Sequence, residues 1–246
     1  GWPLKKISNA KQVLLELGGN ASVILAPDAA WQAAIPRILW GAFMYAGQVC
    51  ISVQQVWVHE SFYDDCLVAM QAAMSTIPVG DPHDIGTLVP PMIDEAAAQR
   101  VEQWLQIACV AGAKILVGGK RQGRLLEPSI LINLPPDLPL SCEEVFGPVL
   151  VVHRYRDMQQ VYQTLNQGRY GLHAGIYTQQ LSIAFEAYER LAMGSVMVNE
   201  IPTFRLDSMP YGGTKDSGMG REGLRYAMAA YCEHKNLVIQ PQFPPL

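Results

Sequence analysis

No apolar stretch in this 246-residue chain reaches the roughly 18 residues needed to span a bilayer. The opening GWPLKKIS also lacks the long apolar core of a signal peptide, so a cytoplasmic location is the default expectation. Basic runs interleaved with aromatics are missing and the formal net charge is −4, which argues against an electrostatic nucleic-acid binder. The five cysteines, Cys50, Cys66, Cys109, Cys142 and Cys232, are odd in number and contain no CxxC pair, so reduced thiols are expected. His59, His83, His153, His173 and His234 are scattered without HExxH spacing, and no metal site is expected. Internal repeats are absent too.

What the chain does have is 50% hydrophobic residues, ample for a packed core. Helical patterning runs over residues 29–46, 61–77, 93–111, 158–167, 180–191 and 220–231. Between these lie the strand-like runs VQQVWVHE, AKILVGG, GPVLVVHRY, AGIYT, SVMVNE and, last, NLVIQ. This alternation argues for an α/β fold. Proline-rich residues 79–91 and 133–139 read as surface connections, and PQFPPL as a tail. Gly218, Gly220 and Gly223 form a GxGxxG pattern that fails as a dinucleotide fingerprint. A turn precedes it where a strand is required, and no acidic residue follows about twenty positions on in a strand.

Two residues carry the chemical signal. Val13, Leu14, Leu15 and Leu17 form an apolar run closed by Gly18 and Gly19, which suits a buried strand with Glu16 near its end. Burial there would raise the carboxylate's pKa towards the range useful to a general base. Cys50 in GQVC stands between a helical stretch and a strand, a junction that can present a thiol to a cleft. Only the thiolate attacks carbonyl carbon well, so such a site needs local stabilisation of the anion. Against this, an isolated cysteine is ordinarily a small buried hydrophobe, and a strand-end glutamate ordinarily half of an ion pair.

Seven phrases in one order decide between these readings. LELGGN, GQVCIS, EEVFGPV, NQGRYGLHAGIYT, VMVNEIPTF, MPYGGTKDSGMGREG and YCEHKNLVI resemble the aldehyde dehydrogenase superfamily from about Lys11 to Ile239. The phrasing is most similar to the branch of lactaldehyde and phosphonoacetaldehyde dehydrogenases. The resemblance implies the C-terminal, catalytic half of that α/β fold. Residues 1–16 would end the cofactor lobe, 17–216 form the catalytic domain, and 217–246 supply a C-terminal helix, an oligomerisation strand and a tail. Most of the cofactor lobe would lie upstream.

By the same resemblance Cys50 attacks the aldehyde carbon, its own N–H holds part of the oxyanion, and a hydride passes to NAD or NADP. Glu16 then activates the water that hydrolyses the thioester. Glu144 and Phe146 match residues that contact the nicotinamide ribose and ring, with Leu17 and Gly18 beside them; a loop acid and a core phenylalanine are the plain alternatives. Glu222 matches an acid that relays protons, or is a first-turn carboxylate at a helix start. Phe204 and Arg205 fall where the family shapes its substrate entrance. Arg205 would pair with a phosphonate, phosphate or carboxylate, or else with Asp207 at the surface. Asn20, where many relatives carry lysine, is expected to leave the chemistry untouched. The second oxyanion donor lies upstream, so the chain alone is expected to be nearly inactive, with a small aldehyde, the cofactor lobe and further subunits as partners. A cofactor-independent thiol esterase or acyl transferase, and a non-catalytic assembly module pairing through NLVIQ, are the competing readings.

Overall fold

The computed structural model describes residues 1–240, so the PQFPPL tail lies outside the described residues. Seven strands form one sheet in the order Ser195–Val198, His173–Tyr177, Ala21–Leu25, Val53–His59, Val149–Tyr155, Ser129–Ile132 and Lys114–Val117. Neighbours run parallel except the last pair, so the sheet is mixed. Strands buried on both faces read as continuous apolar runs. Ala21–Leu25 is such a run, buried at every position and without the alternation that marks a strand; it had not been expected as one, nor had Ser129–Ile132.

Helices cover both faces. The larger core packs the helices Trp31–Phe43, Tyr63–Met74 and Glu95–Val110 on one side through Ile38, Leu39, Phe43, Met70 and Leu105. Each such side chain taken fully from water contributes about 1.5–3 kcal/mol. The helices Met158–Gln167 and Leu181–Arg190 cover the other side, through Tyr162, Leu165 and Ala187. Asp94 and Asp157 cap two of these helices by accepting the Ala97 and Gln159 N–H groups at 2.7 and 2.9 Å. No described helix is long and apolar enough to cross a membrane.

Three expectations need correction. The helix expected over residues 29–46 stops at Phe43, because Tyr45, Ala46 and Gly47 take left-handed φ angles of 52°, 57° and 66°. A left-handed turn costs about 1–2 kcal/mol per non-glycine residue, and here it turns the chain towards Cys50. The expected strand over residues 13–17 shrinks to Leu15–Glu16, paired antiparallel with Gly218–Met219, and Leu14 is 45% exposed. The last helix begins at Leu224 instead of residue 220, since Gly220 and Gly223 have φ of 86° and 123°. Residues 236–240 meet no partner strand among the described residues, and Leu237, Val238 and Ile239 stand exposed; the strand expected there is one that pairs with another subunit.

Candidate active site

Cys50 lies between the left-handed turn and the Val53–His59 strand, as its place in the sequence predicted. Its Sγ is 3.0 Å from the Tyr211 hydroxyl. Burial pushes the thiol above its ordinary pKa, the Tyr211 hydrogen bond opposes this, and nearby Glu144 and Glu16 push it further up. The thiolate stabilisation that a nucleophile needs is therefore only partly present.

Glu16 lies near enough to act on the Cys50 thiol. Leu17 donates its N–H to the Ser217 carbonyl at 3.0 Å, which fixes the segment against residues 211–223. A side chain at Gly212 would come within 2.9 Å of Glu16 Oε1, so glycine there leaves room for the carboxylate. Both carboxylate oxygens are shut off from water and have no hydrogen-bond partner among the described residues. The carboxyl is pushed up to about 7, by burial first and by Glu222 second, against Arg221 and Arg205.

The third wall is the EEVF loop. Glu144 Oε1 accepts the Gly19 N–H at 3.0 Å, and a side chain at Gly18 would collide with the Glu144 carboxylate. Gly19 in turn lies against the Cys50 carbonyl, where an added Cβ would come within 2.5 Å. Buried Gln54 ties these pieces together: its Nε2 donates to the Gly19 carbonyl and its Oε1 accepts the Val145 N–H, both at 2.9 Å. Arg100 holds the Val145 carbonyl at 2.7 Å. Phe146, next along, takes a left-handed φ of 47° and is 38% exposed, so it is not the core phenylalanine of the plain alternative.

Asn20 has a structural place of its own. Its Nδ2 donates to the Ser141 carbonyl at 2.8 Å while its Oδ1 accepts from Gln55 at 2.9 Å, which anchors the start of the loop carrying Glu144. Arg205 pairs with Glu222 at 3.3 Å instead of Asp207, and its guanidinium lies over the Tyr211 ring at 4.1 Å. Phe204 closes a turn by donating its N–H to the Ile201 carbonyl. Glu222 exchanges both backbone hydrogen bonds with Tyr211 and sits ahead of the last helix. Beside them a cleft of about 1110 Å³ opens, lined by Gln12, Leu14, Arg205, Glu222, Gly223 and Tyr226.

The fold therefore brings Cys50, Glu16 and Glu144 close together, with Gly18 against the Glu144 carboxylate and with Arg205 and Glu222 on the Tyr211 side. Tyr211 and Gln54 join the site without having been expected. Gln54 and Gln55 carried a signal, two amides in a strand whose neighbours are apolar. The Aldehyde dehydrogenase family pattern matches residues 4–237.

The chain belongs to the aldehyde dehydrogenase family.

It is 38% identical over 239 residues to a 3-sulfolactaldehyde dehydrogenase of Priestia megaterium, covering 97% of this chain and 50% of that one. A lactaldehyde dehydrogenase of Methanococcus aeolicus is 36% identical over the same length, covering 97% and 51%. The crystal structure of a glyceraldehyde-3-phosphate dehydrogenase from Methanocaldococcus jannaschii, complexed with NADP, superimposes with a TM-score of 0.89 at 37% identity, over 93% of this chain and 50% of that one. The chain thus spans about half the length of the curated relatives it matches.

Proposed function

We propose that this chain is the catalytic portion of an NAD(P)-dependent aldehyde dehydrogenase, which oxidises an aldehyde to a carboxylic acid through a thioester on Cys50. The observation that carries the reading is a cysteine beside a carboxyl, near enough for the carboxylate to oppose ionisation of the thiol, with the carboxyl itself pushed up to about 7. A general base works best when its pKa lies near the operating pH. The Cys50 sulfur attacks the carbonyl carbon, and the Cys50 N–H faces the oxygen that gains charge. Bound nicotinamide would accept the hydride. Glu16, its carboxyl pushed up to about 7, takes a proton from the water that attacks the thioester.

The residues present fit a nicotinamide ribose. Glu144 spends Oε1 on Gly19, and the described residues offer Oε2 no hydrogen bond, so it is free to accept from ribose hydroxyls. Half-exposed Phe146 would lie along the ring. Arg205, linked to Cys50 through Tyr211, suits an aldehyde with a short anionic tail, and its pairing with Glu222 is exposed enough to exchange for such a group. Leu224, Met228 and Tyr231 expose one apolar stripe at helical spacing, which we assign to contact with a cofactor lobe. Residues 1–16 would end that lobe, and the unpaired run 236–240 would pair with another subunit.

The test is covalent trapping, because acylation needs no cofactor. With 4-nitrophenyl acetate, an acetyl adduct on Cys50 is expected by mass spectrometry, accumulating further in Glu16→Gln. Adducts spread over other cysteines, with none on Cys50, refute the reading. Cys50-dependent NADH formation from a short aldehyde by the chain alone would show that no further lobe is required.

A further inference from the structure

The Cys50 sulfur has one side-chain hydrogen-bond partner among the described residues, the Tyr211 hydroxyl. That hydroxyl is held from several directions. Tyr211 is buried, and its backbone is paired both ways with Glu222, at 2.6 and 3.0 Å. The Arg205 guanidinium covers one face of the ring at 4.1 Å. His173 meets the ring nearly edge-on, 5.1 Å between centroids and 72° between planes. His173 is itself anchored by Nδ1 to the Pro202 carbonyl at 2.8 Å; a carbonyl only accepts, so Nδ1 carries the proton. A phenol fixed in this way loses little freedom when it hydrogen-bonds, which makes it a pre-organised donor.

Packing alone would be met by phenylalanine, so the hydroxyl calls for a separate reason. Around Cys50 stand two carboxylates, Glu16 and Glu144, both of which oppose ionisation of the thiol. A thiolate sulfur has no proton to give, so towards it the hydroxyl can only donate. A hydrogen bond to the charged form favours that form.

We propose that Tyr211 is a catalytic residue: its hydroxyl donates to the Cys50 thiolate, favouring the ionised form against two carboxylates and holding the sulfur in one direction. The inference rests on the reading of Cys50 as nucleophile. Tyr211 keeps its own proton, since burial and the neighbouring Cys50 hold its pKa far above the ordinary phenol value. When the sulfur bonds to carbonyl carbon, its charge passes to the carbonyl oxygen and the hydroxyl is released from sulfur.

The experiment is the pH dependence of Cys50 alkylation by iodoacetamide, read on the Cys50 peptide by mass spectrometry, in the chain as it stands and in Tyr211→Phe. Loss of a hydrogen bond to a charged group is expected to raise the midpoint by about one pH unit, or about tenfold less thiolate below both midpoints. The high-pH plateau stays the same, because access to the sulfur is unchanged. A lowered plateau with an unmoved midpoint means that Tyr211 only packs, and overturns the proposal. If Tyr211→Phe does not fold, 3-fluorotyrosine in place of tyrosine makes the phenol a stronger donor and lowers the midpoint; no movement again overturns the proposal. A wild-type Cys50 inert at every pH refutes the nucleophile reading itself and this inference with it.

Discussion

Replacing Glu16 by glutamine separates what this carboxyl does for stability from what it does for chemistry. Its pKa rises from 4.5 in the unfolded chain to about 7 in the fold. Between those values the folded chain keeps a proton that the unfolded chain has released, so stability is full below about pH 4.5 and declines as pH rises through about 7. Taken at face value the shift corresponds to about 3 kcal/mol at 1.36 kcal/mol per unit. The carboxylate oxygens are shut off from water but the residue as a whole is only partly buried, so screening reduces this to about 1–2 kcal/mol. Glutamine fills the same space without titrating. Urea unfolding of both proteins at a series of pH values is expected to give a Glu16→Gln minus wild-type difference that is constant below pH 4.5. The difference should grow by about 1–2 kcal/mol in favour of the variant by pH 8, while the acyl adduct on Cys50 turns over more slowly. A constant offset across the whole range is pH-independent packing, and would refute the claim that Glu16 holds its proton near neutrality.

The charges around Glu16 give a pair of opposite shifts. Glu222→Gln is expected to lower the pH midpoint of deacylation and Arg205→Gln to raise it, since Glu222 raises and Arg205 lowers the Glu16 pKa; stopped-flow hydrolysis of the acetyl adduct measures both, and shifts of the same sign contradict the assignment. Gln54→Leu leaves the Gly19 carbonyl and the Val145 N–H without partners, for a loss of about 2–4 kcal/mol in urea unfolding. An unchanged unfolding midpoint would mean that water replaces the amide. Gly47→Ala puts a side chain at φ 66° and into the Gly147 carbonyl, and is expected to cost more than about 2 kcal/mol and to disturb Cys50 alkylation as well. Wild-type stability in that variant would show that the turn can relax.

Several features were legible in the chain itself. Helix and strand alternation announced the α/β fold, and the helix over residues 158–167 has the expected bounds. There Asp157 caps the first turn and Val161 and Leu165 set the buried face, so local signals and burial agree. The ordered phrases around Glu16, Cys50 and Glu144 pointed to the family that the comparisons show. Local periodicity misled where tertiary contacts override it. Residues 44–46 continue a helical pattern, yet the backbone turns left-handed at Tyr45, Ala46 and Gly47 on its way to Cys50.

The residue types that can attack a carbonyl and activate water were set by the sequence by itself, as were their order and the fold class that carries them. The partners of those residues were decided only by the tertiary structure. Arg205 meets Glu222 instead of Asp207, Asn20 and Gln54 clamp the loop of Glu144, and the Tyr211 hydroxyl faces the Cys50 sulfur. These contacts join segments far apart along the chain, and no local pattern encodes a distance between side chains that only a packed core brings together.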